Sequence, residues 1–164
     1  MAKSSQPRVS RLPEVPWPTR IDCVYLTCFR SEFSVLAIIL HYSSIRMHRA
    51  ETLDEADFLL TVTGGTVLLS DVTFLDGSWH YALHMARQMH PLVASLVVAD
   101  PVDWPSLTDV YDLGACGALW KPVDSTRAIH LIRTLHDAVR DRVTELLDGS
   151  AETVLRGRPS AHCR

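Results

Sequence analysis

The amino-acid sequence predicts an α/β fold in which a doubly wound, five-stranded parallel sheet is covered by helices on both faces. Short apolar runs alternate with segments whose apolar residues recur at helical spacing, and this strand–helix alternation repeats along the chain. The strand candidates are mostly apolar throughout, which is typical of parallel strands that are buried on both faces in βαβ units. A three-layer sandwich is therefore expected.

The first half of the chain supplies two predicted strand–helix pairs. The run CVYL forms the first strand, and Ser31 is expected to cap the helix that follows it. A weaker strand covers residues 45–49. Thr52 caps the second helix, and Glu55, three residues later, completes a capping box. The glycine pair at 64–65 ends this helix.

The second half supplies three more pairs. The run TVLLS leads into Asp71 as the third strand, and a helix follows that ends before a proline. LVASLVVA is the fourth strand, and residues 106–113 form a short helix closed by a glycine. GALW belongs to the fifth strand. Asp124 or Ser125 then caps a long helix that extends to about Leu147.

The 164 residues suit one domain, predicted over 21–147, between a Pro-rich N-terminal arm (1–20) and a C-terminal tail (148–164) that we expect to be flexible. The formal charge of −3 favours neither nucleic acid nor a membrane surface as a partner. Apolar runs long enough to span a bilayer and a secretory signal are both missing from the sequence, so we expect a cytoplasmic protein. The four cysteines lack paired spacing and are expected to be reduced thiols.

Two charged residues end neighbouring parts of the predicted sheet. Asp71 ends the third strand, Ala99 ends the fourth, and Lys121 ends the fifth and is followed by Pro122. Ligand sites in open α/β sheets form beyond the carboxyl ends of the strands. We therefore expect Asp71 and Lys121 to meet across the crevice as a partly buried ion pair.

The segments VLLSDVTFLDGSW and LVVADPVDWPSLTDVYDLGACGALWKPVD resemble the receiver domains of bacterial two-component response regulators, which are CheY-like, flavodoxin-like (βα)5 domains. The resemblance covers roughly residues 21–140. It implies that Asp71 occupies the position that accepts a phosphoryl group from a kinase histidine, and that Lys121 contacts the phosphate. It also implies a cis peptide bond before Pro122 and a Mg²⁺ ligand at the Thr73 carbonyl.

The sequence departs from the receiver pattern at four positions. Thr27 and Cys28 stand where receivers carry an acidic pair, although Mg²⁺ prefers carboxylate oxygens to a hydroxyl or a thiol. Ala99 replaces the usual Ser or Thr, and Ala118 replaces the usual Tyr or Phe. We therefore expect an incomplete phosphorylation pocket, no resident metal, and Mg²⁺ as a cofactor only if the pocket works.

These observations favour a degenerate receiver that is not an enzyme and acts as a protein–protein interaction module. The expected partners are a histidine kinase or a downstream effector, with a possible homodimer through the fourth and fifth strand–helix units or the last helix. Two alternatives remain open. Asp71 can be a working phospho-acceptor, or the tail, where Arg156 to Pro159 resembles an AT-hook, can contact DNA.

Overall fold

A computed structural model describes residues 20–103 and 109–156, with side chains described up to residue 149. The strands and helices that it contains are β1 Ile21–Leu26, α1 Arg30–His41, β2 Ile45–Ala50, α2 Leu53–Thr63, β3 Val67–Asp71, β4 Thr73–Phe74, β5 Gly77–Ser78, α3 Trp79–Met89, β6 Ala94–Ala99, β7 Gly117–Trp120 and α4 Ser125–Arg156.

The main sheet has the strand order β2-β1-β3-β6-β7, and every neighbouring pair in it is parallel. The predicted doubly wound fold is confirmed. The chain reverses its direction across the sheet between β1 and β3, so their carboxyl ends border the crevice in which such folds place ligands. The register sets Tyr25 beside Leu69, two residues before the end of β3.

Alternate strand residues bury the two faces of the sheet. One face packs against α1 and α4 through Tyr25, Leu69 and their neighbours, and the opposite face packs against α2 and α3 through residues such as Val24 and Leu68. All six residues of β6 are buried, as its mostly apolar sequence predicts. Asp71 has the strand phase of Leu69, so its side chain belongs to the α1–α4 face.

The helix starts agree only in part with the sequence. Ser31 does not cap α1, because the helix begins at Arg30 with Phe29 as its N-cap and without a side-chain capping bond. Thr52 does cap α2, and its hydroxyl accepts the Glu55 N–H at 3.3 Å. The Glu55 carboxylate accepts a different backbone N–H from the one in a capping box, that of Glu51, at 2.8 Å.

Other boundaries differ more. The loop expected after β3 contains a two-stranded antiparallel hairpin, β4–β5. Of the predicted helix at 106–113, residues 106–108 lie outside the described residues, and residues 109–113 form turns. The helix α4 extends to Arg156 rather than ending near Leu147. Gly149 costs helix stability, but good helix formers such as Ala151 and Glu152 follow it.

None of the helices in the described ranges is long and apolar enough to cross a lipid bilayer.

Candidate functional site

The carboxyl edge of the sheet brings a small group of polar side chains together. Asp71 ends β3, Lys121 follows β7, and Tyr25 projects from β1. Glu32 joins them from the first turn of α1. Three parallel strands, β1, β3 and β7, thus form one end of the crevice, and α1 borders the crevice on one face of the sheet.

Asp71 is an almost fully buried carboxylate, with 2% of the residue exposed. Its Oδ1 atom accepts a hydrogen bond from the Tyr25 hydroxyl at 2.8 Å and lies 3.1 Å from Lys121 Nζ. The second oxygen, Oδ2, is buried and has no hydrogen-bond partner among the described residues. All of the observed stabilisation of this carboxylate therefore falls on one oxygen atom.

Lys121 binds a second carboxylate as well. Its ammonium nitrogen lies 2.9 Å from Glu32 Oε2 and 4.5 Å from the centre of the Phe29 ring. The Lys121 side chain is 12% exposed, whereas that of Glu32 is 49% exposed. Lys121 thus connects a buried carboxylate to one at the surface, under an aromatic ring that provides a cation–π contact.

The pKa values of the site follow from these contacts. Burial by itself lowers the pKa of Lys121, but hydrogen bonds to Glu32 and Asp71 outweigh burial and raise it. For Tyr25, whose charged form is the deprotonated one, burial raises the pKa, and the nearby negative charge of Asp71 raises it further. At neutral pH the site therefore holds a protonated lysine and a neutral tyrosine that donates its hydroxyl proton to Asp71.

The residues at the position of the receiver acidic pair add no charge to this network, although the Thr27 side chain hydrogen-bonds Tyr25. Thr27 is fully buried, and its hydroxyl accepts the backbone N–H of Phe29 at 3.0 Å. Cys28 is exposed and carries a free thiol. Thr73 lies in β4 with an exposed side chain. Thr27 therefore shapes the turn into α1 and supplies no carboxylate to the charged cluster.

The two alanines leave the edge of the sheet without switch side chains. Ala99 is buried at the end of β6, and its carbonyl accepts the Lys121 N–H at 2.9 Å. Ala118 is partly buried in β7, an edge strand of the sheet. A methyl group offers neither a hydroxyl donor nor a ring. The peptide bond between Lys121 and Pro122 is cis.

The donor set of this site does not suit Mg²⁺. The ion prefers several hard oxygen ligands, usually carboxylates combined with phosphate and water. Asp71 offers one free oxygen, Oδ2, which is shielded from solvent, while Glu32 is bound to Lys121. Within residues 20–103 and 109–156 there is no cluster of three or more His, Cys, Asp or Glu side chains suited to a metal.

A cavity of about 490 Å³ opens beside the charged cluster. It lies between α1 and the turn that follows β7, and its lining is Tyr25, Ser31, Glu32, Val35, Leu36, Ile39, Asp100, Lys121, Pro122 and Val123. Most of its wall is apolar, and Glu32 and Lys121 stand at its polar end. The volume is in the range of small-molecule sites in proteins, about 300–1,000 Å³.

Sequence reasoning placed Asp71 and Lys121 at this edge but missed three of their neighbours. Tyr25 shares its strand phase with Cys23 and Thr27, so alternation along β1 pointed it toward the face that carries Asp71. Glu32 and Phe29 depend on where α1 begins and how it packs. No local motif marks those two residues.

The remaining expectations concern the cysteines and the two ends of the chain. Cys23, Cys28 and Cys116 are free thiols, and Cys163 lies outside the described residues. The N-terminal arm, up to residue 19, is likewise outside them. The AT-hook resemblance begins at Arg156, the last residue of α4, and continues into residues beyond the described part.

Comparison with known proteins identifies the fold. No family model and no curated protein matches the chain. A response-regulator receiver protein from Pseudomonas putida is 20% identical, with a TM-score of 0.63 over 70% of this chain and 97% of that one. A CheY-like receiver domain protein from Methanospirillum hungatei is 15% identical, with a TM-score of 0.67 over 76% and 99%.

A third solved structure, described as adenylate cyclase from Rhodopirellula baltica, is 17% identical, with a TM-score of 0.66 over 85% of this chain and 99% of that chain. Similarity at these identities concerns the fold. The chain therefore has the fold of response-regulator receiver domains, as the two sequence segments predicted, and this fold spans nearly the whole length of each of these neighbours.

Proposed function

We propose that this chain is a receiver-type signalling module that binds protein partners without needing a phosphoryl group or Mg²⁺. The observation that carries the proposal is the closed charge network around Lys121. Its ammonium group already contacts two carboxylates, Asp71 and Glu32, and the Tyr25 hydroxyl supplies a further donor to Asp71. In a receiver that works with Mg²⁺ and phosphate, those ions balance the charged side chains of the pocket, whereas here the side chains balance one another.

The chemistry of phosphoryl transfer supports this proposal. The reaction relies on positioning and on neutralising the charge of the transferring group. The side chains at Thr27 and Cys28 supply no carboxylate to hold Mg²⁺, so Lys121 has to neutralise the charge of the transferring group. Lys121 also pairs with Glu32, and this carboxylate already offsets part of its positive charge. We expect slow transfer or none.

The two alanines support a phosphate-independent mode as well. A bound phosphate can favour one conformation only through groups that contact it differently in the two conformations. Ala99 has no hydroxyl to reach an oxygen on Asp71, and Ala118 has no ring to reorient. Partner binding in this protein therefore uses a surface that is present without phosphorylation.

The proposed partner surface includes the edge strand β7 and the helix α4. Among the α4 side chains that the structure describes, up to residue 149, the last buried apolar one is Val139, and Leu146 and Leu147 after it are exposed. A helix that continues beyond its own sheet with an apolar stripe suits a partner helix or a second copy of the chain. We propose a kinase or an effector as the partner, or a homodimer.

One observation favours the alternative of a working phospho-acceptor. Oδ2 of Asp71 is free of hydrogen bonds among the described residues, while Lys121 lies close to the other oxygen. A carboxylate with one free oxygen retains a nucleophile. Transfer then needs a movement that opens Oδ2 to solvent, since that atom is buried.

Intact mass after incubation with a small phosphodonor and Mg²⁺ decides between the two. The proposal predicts no adduct in the folded protein. One phosphate adduct that is absent from the Asp71→Asn variant would establish the phospho-acceptor instead. Asp141→Asn, an exposed aspartate on α4, is the matched control and should behave like the unchanged chain.

A further inference from the structure

The cavity beside the charged cluster combines an apolar wall with an acidic end. Val35, Leu36 and Ile39 of α1 form one side, and Val123 lies on the other. Glu32, Asp100 and Lys121 supply the charges of the lining. Such a combination of apolar surface and a few convergent polar groups is the usual composition of a small-molecule site.

The charges select the kind of ligand. The lining carries two carboxylates and one ammonium group, and the buried Asp71 behind Lys121 adds another negative charge. Lys121 therefore does not make the cavity positive. Asp100 makes no ion pair within the described residues, although its backbone N–H bonds the Asp103 carboxylate at 3.0 Å. A cationic group gains more here than an anionic one.

The hydrogen-bond capacity of Lys121 supports the same choice. An ammonium group has three N–H donors; in Lys121 one contacts Asp71 and one contacts Glu32, and Nζ also lies 4.5 Å from the centre of the Phe29 ring. An anionic ligand that reaches Lys121 also comes close to the Glu32 carboxylate, and like charges repel each other. A ligand ammonium group can bond to the lining carboxylates of Glu32 and Asp100 and leave the buried Asp71–Lys121 pair in place.

We propose that this cavity binds a small aliphatic amine, with its ammonium group at Glu32 and Asp100 and its hydrocarbon chain along Val35, Leu36 and Ile39. The ligand shares Glu32 with Lys121, so its binding weakens the Glu32–Lys121 contact, and Asp71 becomes the main partner of Lys121. The site shares Tyr25, Glu32 and Lys121 with the charged cluster, but amine binding needs no phosphoryl group on Asp71 and does not depend on the function proposed above.

The test is an NMR titration of the ¹⁵N-labelled full chain with three probes that share one hydrocarbon chain. They are n-hexylammonium, n-hexanol and n-hexanoate at equal ionic strength. For a ligand of this size we expect n-hexylammonium to bind with a Kd of about 1 mM, and the neutral and anionic probes about tenfold or more weakly. The shifted amides should be those of α1 and of Val123.

Variants locate the ammonium group. Glu32→Gln and Asp100→Asn should each weaken n-hexylammonium about tenfold, which is the loss expected for one ionic contact. Glu145→Gln, an exposed position on α4 outside the cavity, should leave the Kd unchanged. The proposal is overturned if n-hexanoate binds as tightly as n-hexylammonium, if the shifts lie away from the cavity, or if no probe gives a saturable shift.

Discussion

The Lys121 ammonium nitrogen lies 3.1 Å from Oδ1 of Asp71, a carboxylate with 2% of its residue exposed to solvent. Burying a charge is costly unless it is paired and hydrogen-bonded. Here the Tyr25 hydroxyl completes the pairing from a third strand. The edge of the sheet is thus held by a protein ion pair, and the predictions below follow from it.

Asp71→Asn should destabilise the protein. The change removes one of the two carboxylates that pair with the mostly buried Lys121 ammonium group. Removing one partner of a fully buried ion pair costs about 3–5 kcal/mol. Because Lys121 keeps the exposed Glu32, we expect a smaller loss, about 2 kcal/mol in the free energy of unfolding. Urea denaturation measures it. An equal or higher stability of Asp71→Asn, compared with the control Asp141→Asn, is the contrary result.

Lys121→Met should cost more than Asp71→Asn, about 3–5 kcal/mol, because it leaves a buried carboxylate without its cation. The double variant removes both charges, so its destabilisation should be smaller than the sum of the two single losses. We expect a coupling energy of about 1–3 kcal/mol from this double-mutant cycle. Additive losses would show that the two residues do not stabilise each other.

Tyr25 should make the protein sensitive to alkali. Burial and the charge of Asp71 raise the pKa of Tyr25, so the folded state keeps a proton that the unfolded chain releases near pH 10. Stability is therefore fully present below about pH 10 and falls as the pH rises above it, by up to about 1.4 kcal/mol per pH unit for one such group. The raised pKa of Lys121 acts in the same direction.

In the variant Tyr25→Phe, the free energy of unfolding measured by denaturation should depend less on pH above pH 10. It should also lose about 1–2 kcal/mol at neutral pH, because the hydrogen bond to the buried carboxylate is gone. Tyr42, which is 86% exposed, provides the matched Tyr→Phe control. An alkaline slope in Tyr25→Phe equal to that of the unchanged chain is inconsistent with this role.

His136 should make the protein sensitive to acid at the other end of the sheet. It is 7% exposed, and its Nδ1 lies 2.8 Å from the Thr66 hydroxyl. Burial lowers the pKa of His136, Asp137 opposes this effect and Arg140 adds to it. The stabilisation is therefore complete above about pH 6.5 and is lost as the pH falls toward the lower pKa of the folded state.

Denaturation between pH 7 and pH 5 checks this prediction. His136→Gln should weaken the pH dependence in this range, and His130→Gln, an exposed position on the same helix, should retain it. Equal acid slopes in the two variants would exclude His136 as the titrating group.

The fold was predictable because β1, β3, β6 and β7 are short, mostly apolar runs, and because the helices carry apolar residues at helical spacing. The charged ends of β3 and β7 were predictable for the same reason, since parallel strands bring their carboxyl ends to one edge. Asp71 and Lys121 therefore follow from strand order alone.

The rest of the site depends on tertiary packing. Glu32 reaches Lys121 from the first turn of α1, which begins at Arg30, one residue before Ser31. Local capping rules favoured Ser31, but the Thr27 hydroxyl binds the Phe29 N–H and sets the turn instead. The end of α4 was missed because glycine at 149 is only a modest penalty in a long helix.

The most direct measurement of the central claim, that side chains balance the charge of the site without a metal, is the thermal unfolding of the full chain over a range of Mg²⁺ concentrations. A ligand that binds only the folded state raises stability by RT ln(1 + [L]/Kd). We predict the same Tm from zero to about 20 mM Mg²⁺ once ionic strength is matched. A saturable rise in Tm that disappears in Asp71→Asn would contradict the claim and identify a metal site at Asp71.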